Sequence, residues 1–246
     1  MLKHQQRRRV RIECYNAAMT LSSPDSALIY TETLTFVERR SEYPGVATYI
    51  FRPAQPIQFE AGQYAHIRML NMPEGTRRVH ELSFASSPQD ANLWFGVDGR
   101  SGSNYQQSLQ SLQPGDLAEL FKIRGHMTWP PLVSDVVMIA GGVGVTPFRS
   151  MILDAHERTL PITIALVHVS SSEFLYADAL RDLVHEYVTI NRSLLTGTIE
   201  LMATEHPNAH YYVAGSENFV VAVSNELTAH GITRIESDEF KGLLAE

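Results

Sequence analysis

A glycine-rich turn in the second half of the chain has the composition of a phosphate-binding site. Gly141-Gly142-Val143-Gly144-Val145-Thr146-Pro147 follows the apolar segment Val136–Ala140 and precedes a helical pattern. Glycine lets the backbone approach a ligand closely, and the free N–H groups of a helix N-terminus attract phosphate. The turn has neither the G-x-G-x-x-G spacing nor the Gly-Lys-Ser/Thr of a P-loop. Two interpretations remain: dinucleotide binding on a different fold, or a tight turn that only packs the helix on the sheet.

Four ordered segments, this turn among them, resemble the motifs of the ferredoxin–NADP reductase superfamily. They are Phe59-Glu60-Ala61-Gly62-Gln63-Tyr64 (F-x-P-G-Q-Y/F), His80-Glu81-Leu82-Ser83-Phe84-Ala85-Ser86-Ser87-Pro88 (R-x-Y-S/T, then I-A-S-x-P), Gly141–Met151, and Tyr212–Ser216 with Asp238–Gly242 (Y-x-C/A-G-P and D-E-F-x-G-Y). The match covers about residues 31–243, and several motifs in order are far more specific than any one of them. The resemblance implies a flavoprotein that takes hydride from a nicotinamide nucleotide.

The resemblance also implies a set of site residues. Ser83 would place its hydroxyl near N5 of the flavin, Phe240 would cover the flavin, and Glu239 would lie near the hydride-transfer site. We predict these three as catalytic, with Ser83 and Phe240 also contacting the cofactor. The other residues predicted to bind FAD or the nucleotide are Tyr64, His80, Glu81, Leu82, Phe84, Ser103, Asn104, Gly141, Gly142, Gly144, Thr146, Pro147, Ser170, Ser171, Gly215 and Ser216.

The flavin half departs from the family pattern at several positions. His80 stands where many members have arginine; it is the predicted partner of the FAD pyrophosphate, with Arg77 or Arg78 as the alternative. Leu82 stands where an aromatic residue usually lies against the isoalloxazine, and Lys122 belongs to a segment that replaces the family's G-P-x-G-x-F. Further differences are Ser216 for proline, Ala214 for the frequent cysteine and Leu243 for the last aromatic. His80, Leu82 and Lys122 leave open the alternative that the chain is a flavin-poor relative, which binds a nucleotide or a partner without turnover.

The segment after the second predicted strand of the nucleotide-binding half bears on the choice of nucleotide. Ile162–Val169 is followed by Ser170-Ser171-Ser172-Glu173, where the resemblance places the adenosine ribose. NADPH-selective members typically have arginine there, because a 2′-phosphate needs a permanently charged donor. Glu173 would repel that phosphate. We therefore expect FAD together with NADH in preference to NADPH, and Arg192 on the next strand is the residue that would reverse this preference.

The elements that must position these residues change character near residue 130. Up to there, short alternating or β-branched segments separated by turns predict an antiparallel barrel or sandwich. The predicted strands are Thr31–Arg40, Val46–Pro53, Gln63–Leu70, His80–Ser86, Leu93–Arg100 and Leu117–Ile123, with a helix over Asn104–Leu112. Beyond it, apolar strands alternate with helices, which predicts a parallel sheet. These are the strands Asp135–Ala140, Ile162–Val169, one beginning near Val188, Ala209–Ala214 and Arg234–Ser237, and the helices Phe148–Thr159, Glu173–Tyr187 and Glu217–His230.

Pattern and resemblance together predict a two-domain fold. An antiparallel β-barrel flavin domain over residues 29–130 would be followed by an α/β parallel-sheet nucleotide-binding domain over 131–246, after an N-terminal extension over 1–28. NAD(P)H would reduce FAD, and the flavin would pass electrons to an external acceptor: a small redox protein, a partner enzyme or a ferric chelate. An electron-transfer subunit of a larger complex is a further alternative.

Composition excludes several other classes of protein. The lone Cys14 cannot form an internal disulfide, a four-cysteine zinc site or an iron–sulfur cluster, and the scattered histidines predict no metal site. The absence of an 18-residue apolar run, and a start without a signal-peptide core, predict no membrane span and a cytoplasmic location. A net charge of −7 argues against nucleic acid as a partner, and we interpret the basic residues near the start as a solvated terminus.

Overall fold

The structure is a computed structural model, and it describes residues 31–240. The extension predicted over residues 1–28 and the end of the last motif, Lys241–Leu243, lie outside the described residues. Within the described part of the chain, an antiparallel sheet is followed by a parallel one. The predicted boundary between residues 130 and 131 falls in the connection between them, after Arg124 and before Asp135.

The first sheet has six antiparallel strands in the order β4-β3-β6-β1-β2-β5. Their bounds are β1 Glu32–Tyr43, β2 Val46–Pro53, β3 Tyr64–Met69, β4 Val79–Ser83, β5 Leu93–Asp98 and β6 Leu117–Arg124, and helix α1, Asn104–Ser111, lies between β5 and β6. Buried and accessible residues alternate along β3 and β5, because one face of each strand packs on the core. The Ala85 N–H donates to the Trp94 carbonyl at 2.7 Å, which joins the chain after β4 to β5 and curls the sheet towards a barrel.

The second sheet has five parallel strands in the order β11-β10-β7-β8-β9. Their bounds are β7 Asp135–Gly141, β8 Thr163–Val169, β9 Glu186–Ile190, β10 His210–Ser216 and β11 Ile235–Phe240; the helices are α2 Val145–Glu157, α3 Ala177–Leu180, α4 Leu195–Glu205 and α5 Glu217–Ala229. The chain leaves β7 towards β8 and later returns to its other side at β10. The carboxyl end of β7 is therefore a topological switch point, where sheets of this kind bind ligands. The glycine-rich turn lies there.

Two elements of the second half differ from the sequence prediction. The helix predicted over Glu173–Tyr187 is wrong: only α3 and a 3₁₀ turn at Arg181–Leu183 are helical, and β9 has already begun at Glu186. The β-branched and aromatic run from Tyr187 to Ile190 pairs with β8, and this pairing prevails over helical continuation. Helix α4 was not predicted, because Gly197 and neighbouring threonines obscure the helical spacing of the buried Leu195, Ile199 and Met202.

The helices of the described residues are short or packed on the parallel sheet. In this part of the chain, none of them has the length and hydropathy needed to cross a membrane.

Candidate functional site

A cavity of about 1040 Å³ opens between the barrel strands and the carboxyl ends of the parallel strands. Small-molecule sites typically measure about 300–1,000 Å³, so this cavity has room for a large ligand or for two ligands end to end. The predicted site residues that line it are Tyr64, His80, Glu81, Leu82, Ser83, Gly141, Gly142, Thr146, Ser170, Ser171, Ser216, Glu239 and Phe240. Residues far apart in the sequence thus come together at the switch point of the sheet.

Several predicted residues do not line the cavity, because packing or local capping occupies them. Phe84 is fully buried and stacks on Phe59 with ring centroids 3.9 Å apart, and its N–H donates to the Gln63 carbonyl. Ser103 caps α1 by accepting from the Gln106 N–H at 3.3 Å. Asn104, Gly144, Pro147 and Gly215 are also absent from the cavity wall. Asn104 begins α1 in an exposed position, whereas the other three are buried.

The glycines of the turn divide between packing and ligand access. A β-carbon on Gly144 would lie 2.2 Å from the Ala214 carbonyl oxygen, and one on Gly141 would lie 2.9 Å from the Phe219 ring. Gly142 instead has a φ of +56°, has nothing within 4 Å of the β-carbon position and lines the cavity. Both interpretations of the turn therefore apply: Gly141 and Gly144 pack the turn on its neighbours, and Gly142, with Gly141 beside it, forms part of the cavity wall.

His168 holds the backbone of this turn and was not predicted from the sequence. Its Nε2 lies 2.9 Å from the Gly142 carbonyl oxygen, and its Nδ1 lies 3.1 Å from the Tyr187 hydroxyl. Because a carbonyl only accepts, Nε2 carries the hydrogen and Nδ1 accepts from Tyr187. Burial lowers the pKa of His168 to about 4, so the ring is neutral at pH 7. With the Gly142 carbonyl fixed towards His168, the Val143 N–H of the same trans peptide points the opposite way.

A carboxyl group faces Ser83 from the end of the second sheet. The Ser83 hydroxyl donates to Asp238 Oδ2 at 3.4 Å, and both residues line the cavity. The pKa of Asp238 is raised to about 6, chiefly by burial and also by the nearby carboxylates of Glu81 and Glu239, while the hydrogen bond from Ser83 opposes this rise. The sequence prediction selected Glu239, which is exposed. Side chains alternate along a strand, so Asp238 shares its face of β11 with Phe240, and this alternation was the signal that pointed to Asp238.

His80, the predicted partner of the pyrophosphate, is neutral at pH 7. Its ring is buried and meets the Tyr105 ring edge-on, with centroids 4.4 Å apart. Burial, and then the positive charge of Arg77, lower the pKa of His80 to about 4. A neutral imidazole offers a hydrogen bond but no charge to a phosphate group. Arg77, one of the two arginines that the sequence offered as the alternative partner, lines the same cavity and carries a positive charge.

The far end of the cavity collects polar residues from the ends of β8 and β9. Ser170 and Ser171 follow β8, and Asn191, Arg192 and Ser193 follow β9; all five line the cavity. Asn191 Oδ1 accepts from the Ser193 N–H at 3.0 Å, which fixes the 3₁₀ turn that carries the arginine. Glu173 does not line the cavity and is exposed. Glu173 therefore gives no repulsion against a 2′-phosphate in the cavity, and Arg192 offers a positive charge there instead.

One group of side chains outside the cavity has metal-ligand types. Ligand atoms of Glu186, Glu205 and His206 lie within 4.8 Å of one another near the surface. His206 Nδ1 also lies 3.2 Å from Asp135 Oδ2. None of these residues lines the cavity, and the absence of a metal site stays a prediction.

Comparisons with known proteins agree with this geometry. No protein-family model matches the chain. It is 28% identical over 159 residues to a flavohemoprotein of Rhizobium meliloti (61% of this chain, 39% of that protein), and 28% identical over 192 residues to the phenol hydroxylase P5 protein of Acinetobacter pittii (76% and 48%). The chain spans about half or less of the length of these relatives. Its structure matches a ferredoxin NADP+ reductase of Neisseria gonorrhoeae with bound FAD and NADP at a TM-score of 0.73 and 17% identity, covering 85% of this chain and 98% of the other. The predicted fold, an antiparallel sheet followed by a parallel sheet with helices, is confirmed, and it is the fold of that reductase.

Proposed function

We propose that this chain, which has the ferredoxin–NADP reductase fold, is a FAD-dependent NAD(P)H oxidoreductase that passes electrons to an external acceptor. One observation carries the proposal: a single cavity is walled by Tyr64 and Ser83 of the barrel and by Gly142 of the parallel sheet. The first wall has the residue types that flavin chemistry needs, and the second has the backbone turn that a nucleotide needs. A hydride donor and a hydride acceptor would meet between them.

The residues present fit FAD on the barrel side. Tyr64 and Phe240 offer aromatic faces for a ring system, and Ser83 offers a hydroxyl beside them. Arg77 provides a positive charge for the pyrophosphate, and neutral His80 a hydrogen bond. FAD, when bound, accepts a hydride and releases electrons one at a time to an acceptor. The protein's part is to hold the ring, to keep a hydroxyl at its edge and to exclude water.

The parallel-sheet side fits a dinucleotide. The backbone at Gly142 and Val143 begins a helical segment and faces the cavity, and the Thr146 hydroxyl is fixed by donating to the Val143 carbonyl at 2.6 Å. Arg192 lies in the wall where the ribose would lie, and Glu173 does not. We therefore extend the proposal to NADPH as a substrate, with Arg192 as the residue that meets its 2′-phosphate. The preference for NADH stays a prediction of the sequence that kinetics must decide.

The experiment that tests the function begins with the purified protein. We expect a flavin absorption spectrum as isolated or after addition of FAD, and anaerobic bleaching of that spectrum by NADH or NADPH. Electron transfer to ferricyanide, a ferric chelate and a small iron–sulfur protein would then define the acceptor class. Protein that stays colourless after addition of FAD would contradict the proposal and favour the flavin-poor relative, an interpretation supported by Leu82 at the position where an aromatic is usual.

A component of a multi-protein enzyme is the second candidate for the function. One matched relative is named as the P5 protein of phenol hydroxylase, which favours this reading. Affinity purification under mild conditions would recover a stoichiometric oxygenase or other redox partner if the chain is such a subunit. Turnover of small acceptors alone would not distinguish the two candidates, so partner recovery is the deciding measurement. The identity of the acceptor, the cytoplasmic location and the absence of a nucleic-acid partner stay predictions.

A further inference from the structure

Arg149 joins the two halves of the described chain. It lies on α2, three residues after Thr146, and its side chain is half-buried. Its guanidinium group donates to the Ala85 carbonyl of the barrel. The guanidinium carbon also lies 4.6 Å from the centroid of the Trp94 ring on β5 and 5.1 Å from that of the Tyr176 ring, which follows β8. One side chain therefore contacts both domains.

These contacts suit the planar, charged side chain of arginine. Burial lowers the pKa of Arg149, but a guanidinium group stays protonated in proteins, so its charge must be compensated where it lies. Two aromatic faces and a carbonyl oxygen provide that compensation, and cation–π attraction strengthens as water is excluded. A planar group can stack on rings while it donates in its own plane, which a lysine ammonium cannot do. The charged groups that act on Arg149 are those of Asp90, Glu42 and Arg40, together with Tyr176.

The groups that Arg149 contacts are themselves fixed. The Ala85 N–H donates to the Trp94 carbonyl at 2.7 Å. The Tyr176 hydroxyl lies 2.8 Å from Thr48 Oγ1 on β2, and Thr48 donates its own hydrogen to Glu42 at 2.6 Å. Tyr176 is therefore the donor to Thr48. The backbone at Ala85 and Trp94 and the Tyr176 hydroxyl are therefore held by hydrogen bonds to the barrel, which limits the movement of the groups around Arg149.

A glycine on β5 marks how closely the two domains approach. A β-carbon on Gly96 would lie 2.8 Å from Thr146 Oγ1 and 2.9 Å from the Tyr176 hydroxyl. Both hydroxyls are already engaged in hydrogen bonds. The barrel backbone therefore contacts the nucleotide turn directly at a point two residues from Trp94.

We propose that Arg149 is a positioning residue for the proposed hydride transfer, and this inference rests on the proposed function. Its contacts with Ala85, Trp94 and Tyr176 set the spacing between the two cavity walls. Ser83 precedes Ala85 by two residues and Thr146 precedes Arg149 by three, so each end of the contact is tied to a wall. Reacting atoms must lie about 3–3.5 Å apart, and a misplacement of about 1 Å costs about 100-fold in rate. Arg149 itself does not line the cavity.

Stopped-flow reduction of the FAD-loaded protein tests this role by separating the chemical step from binding. For Arg149→Met we expect the limiting rate of flavin reduction to fall by about 30- to 100-fold, while FAD content and nucleotide Kd stay within threefold of wild type. Arg149→Lys keeps the charge and one donor but loses the planar stacking, so its rate should lie between the two. A limiting rate within threefold of wild type for Arg149→Met, or a loss confined to nucleotide Kd, would overturn the proposal.

A second variant approaches the same spacing from the barrel side. In Gly96→Ala the added methyl group would press against Thr146 and Tyr176, and we expect the same pattern: a limiting rate at least tenfold lower with FAD content retained. This variant also keeps the proposal testable if Arg149→Met fails to fold. An unchanged limiting rate in folded Gly96→Ala would contradict the importance of the spacing.

A distance measurement separates this inference from the proposed function. Spin labels at Arg52→Cys on the barrel and Glu200→Cys on α4, both exposed, in a Cys14→Ser background would report the distribution of distances between the domains. Arg149→Met should broaden that distribution whatever the redox activity. An unbroadened distribution would overturn the positioning role, whereas a wild-type protein that NAD(P)H cannot reduce would overturn the proposed function.

Discussion

The two walls of the cavity are built by different means. The barrel wall presents functional side chains, among them Tyr64, Arg77 and Ser83. The parallel-sheet wall presents the glycine-rich turn and small hydroxyl residues, such as Gly142 and Thr146, together with larger side chains from the ends of β9 and β11, and Gly144 packs the turn tightly on β10. A function of the barrel wall is therefore lost when a side chain is removed, and a function of the glycine-rich turn is lost when one is added at a packed position.

The largest expected effect is on the backbone-built wall. A β-carbon at Gly144 would lie 2.2 Å from the Ala214 carbonyl oxygen and 2.9 Å from the Gly215 Cα. These are backbone atoms, which cannot relieve the clash by a side-chain rotation. We expect Gly144→Ala to lower the free energy of unfolding by about 3 kcal/mol, the upper end of the range of about 1–3 kcal/mol that overpacking typically costs, because the atoms it meets are backbone. Urea denaturation measures it.

Helix α4 provides the matched control for that substitution. Gly197 lies in α4 with nothing within 4 Å of its β-carbon position. Gly197→Ala should raise the free energy of unfolding by about 0.5–1 kcal/mol, because alanine is the better helix former. If both variants unfold at the denaturant concentration of the wild type, the parallel-sheet wall is not limited by packing and the comparison between the walls fails.

The next largest effect is a deletion on the barrel wall. Ser83→Ala removes the hydroxyl that lies at the cavity and donates to Asp238. Removal of one well-placed donor at a reacting group typically costs about 10²–10³ in rate, so we expect the limiting rate of flavin reduction to fall about 100-fold. Ser237→Ala is the control, since Ser237 neighbours Asp238 but is exposed and does not line the cavity. Equal rates for the two variants would remove Ser83 from the proposed chemistry.

The sequence predicted the backbone-built features of the molecule well. Alternation along β3 and β5 and the continuous apolar run of β7 follow from which faces are buried, and burial leaves a periodic trace in the sequence. The glycine turn was located because its conformation needs particular residue types. The segments that failed, Glu173–Tyr187 and α4, are those in which pairing with β8 or packing on the sheet prevails over local propensity.

The side-chain partners were predicted less well, because they meet only in the folded chain. Asp238 and its hydrogen-bond donor Ser83 are 155 residues apart in the sequence, and His168 and Gly142 are 26 residues apart. Alternation along β11 places Asp238 on the face of Phe240, but no local pattern shows that Ser83 is its partner, and His168 only interrupts an apolar strand. The role of His80 at the pyrophosphate stays a prediction, and its lowered pKa could not be inferred from the sequence, because the burial that lowers it depends on packing that no local pattern shows.

A smaller effect concerns Arg192, a cationic side chain of the parallel-sheet wall at the end of β9. Arg192→Ala should lower kcat/KM for NADPH by about 10- to 100-fold, the equivalent of about 1.5–3 kcal/mol for a lost charged hydrogen bond, and leave the value for NADH nearly unchanged. Glu173→Gln is the control and should leave the ratio unchanged, because Glu173 does not line the cavity. A ratio that responds to Glu173→Gln instead would restore the argument for NADH that the sequence made.

The smallest expected effect is a pH dependence of stability that originates at Asp238. Its folded pKa, about 6, lies above the ordinary value of 3.8, so the folded state holds the proton more tightly than the unfolded state does. The stabilisation from that proton is present at low pH and is lost as pH rises through about 6. Asp238→Asn imitates the protonated group and can still accept from Ser83, so we expect its Tm to exceed that of the wild type at pH 8, by about 2–4 °C for each kcal/mol, and to match it near pH 4. Glu200→Gln, at an exposed position on α4, controls for the loss of one negative charge. If Asp238→Asn lowers the Tm at pH 8, the carboxylate is stabilised by its surroundings, and this part of the cavity is more polar than the burial of Asp238 implies.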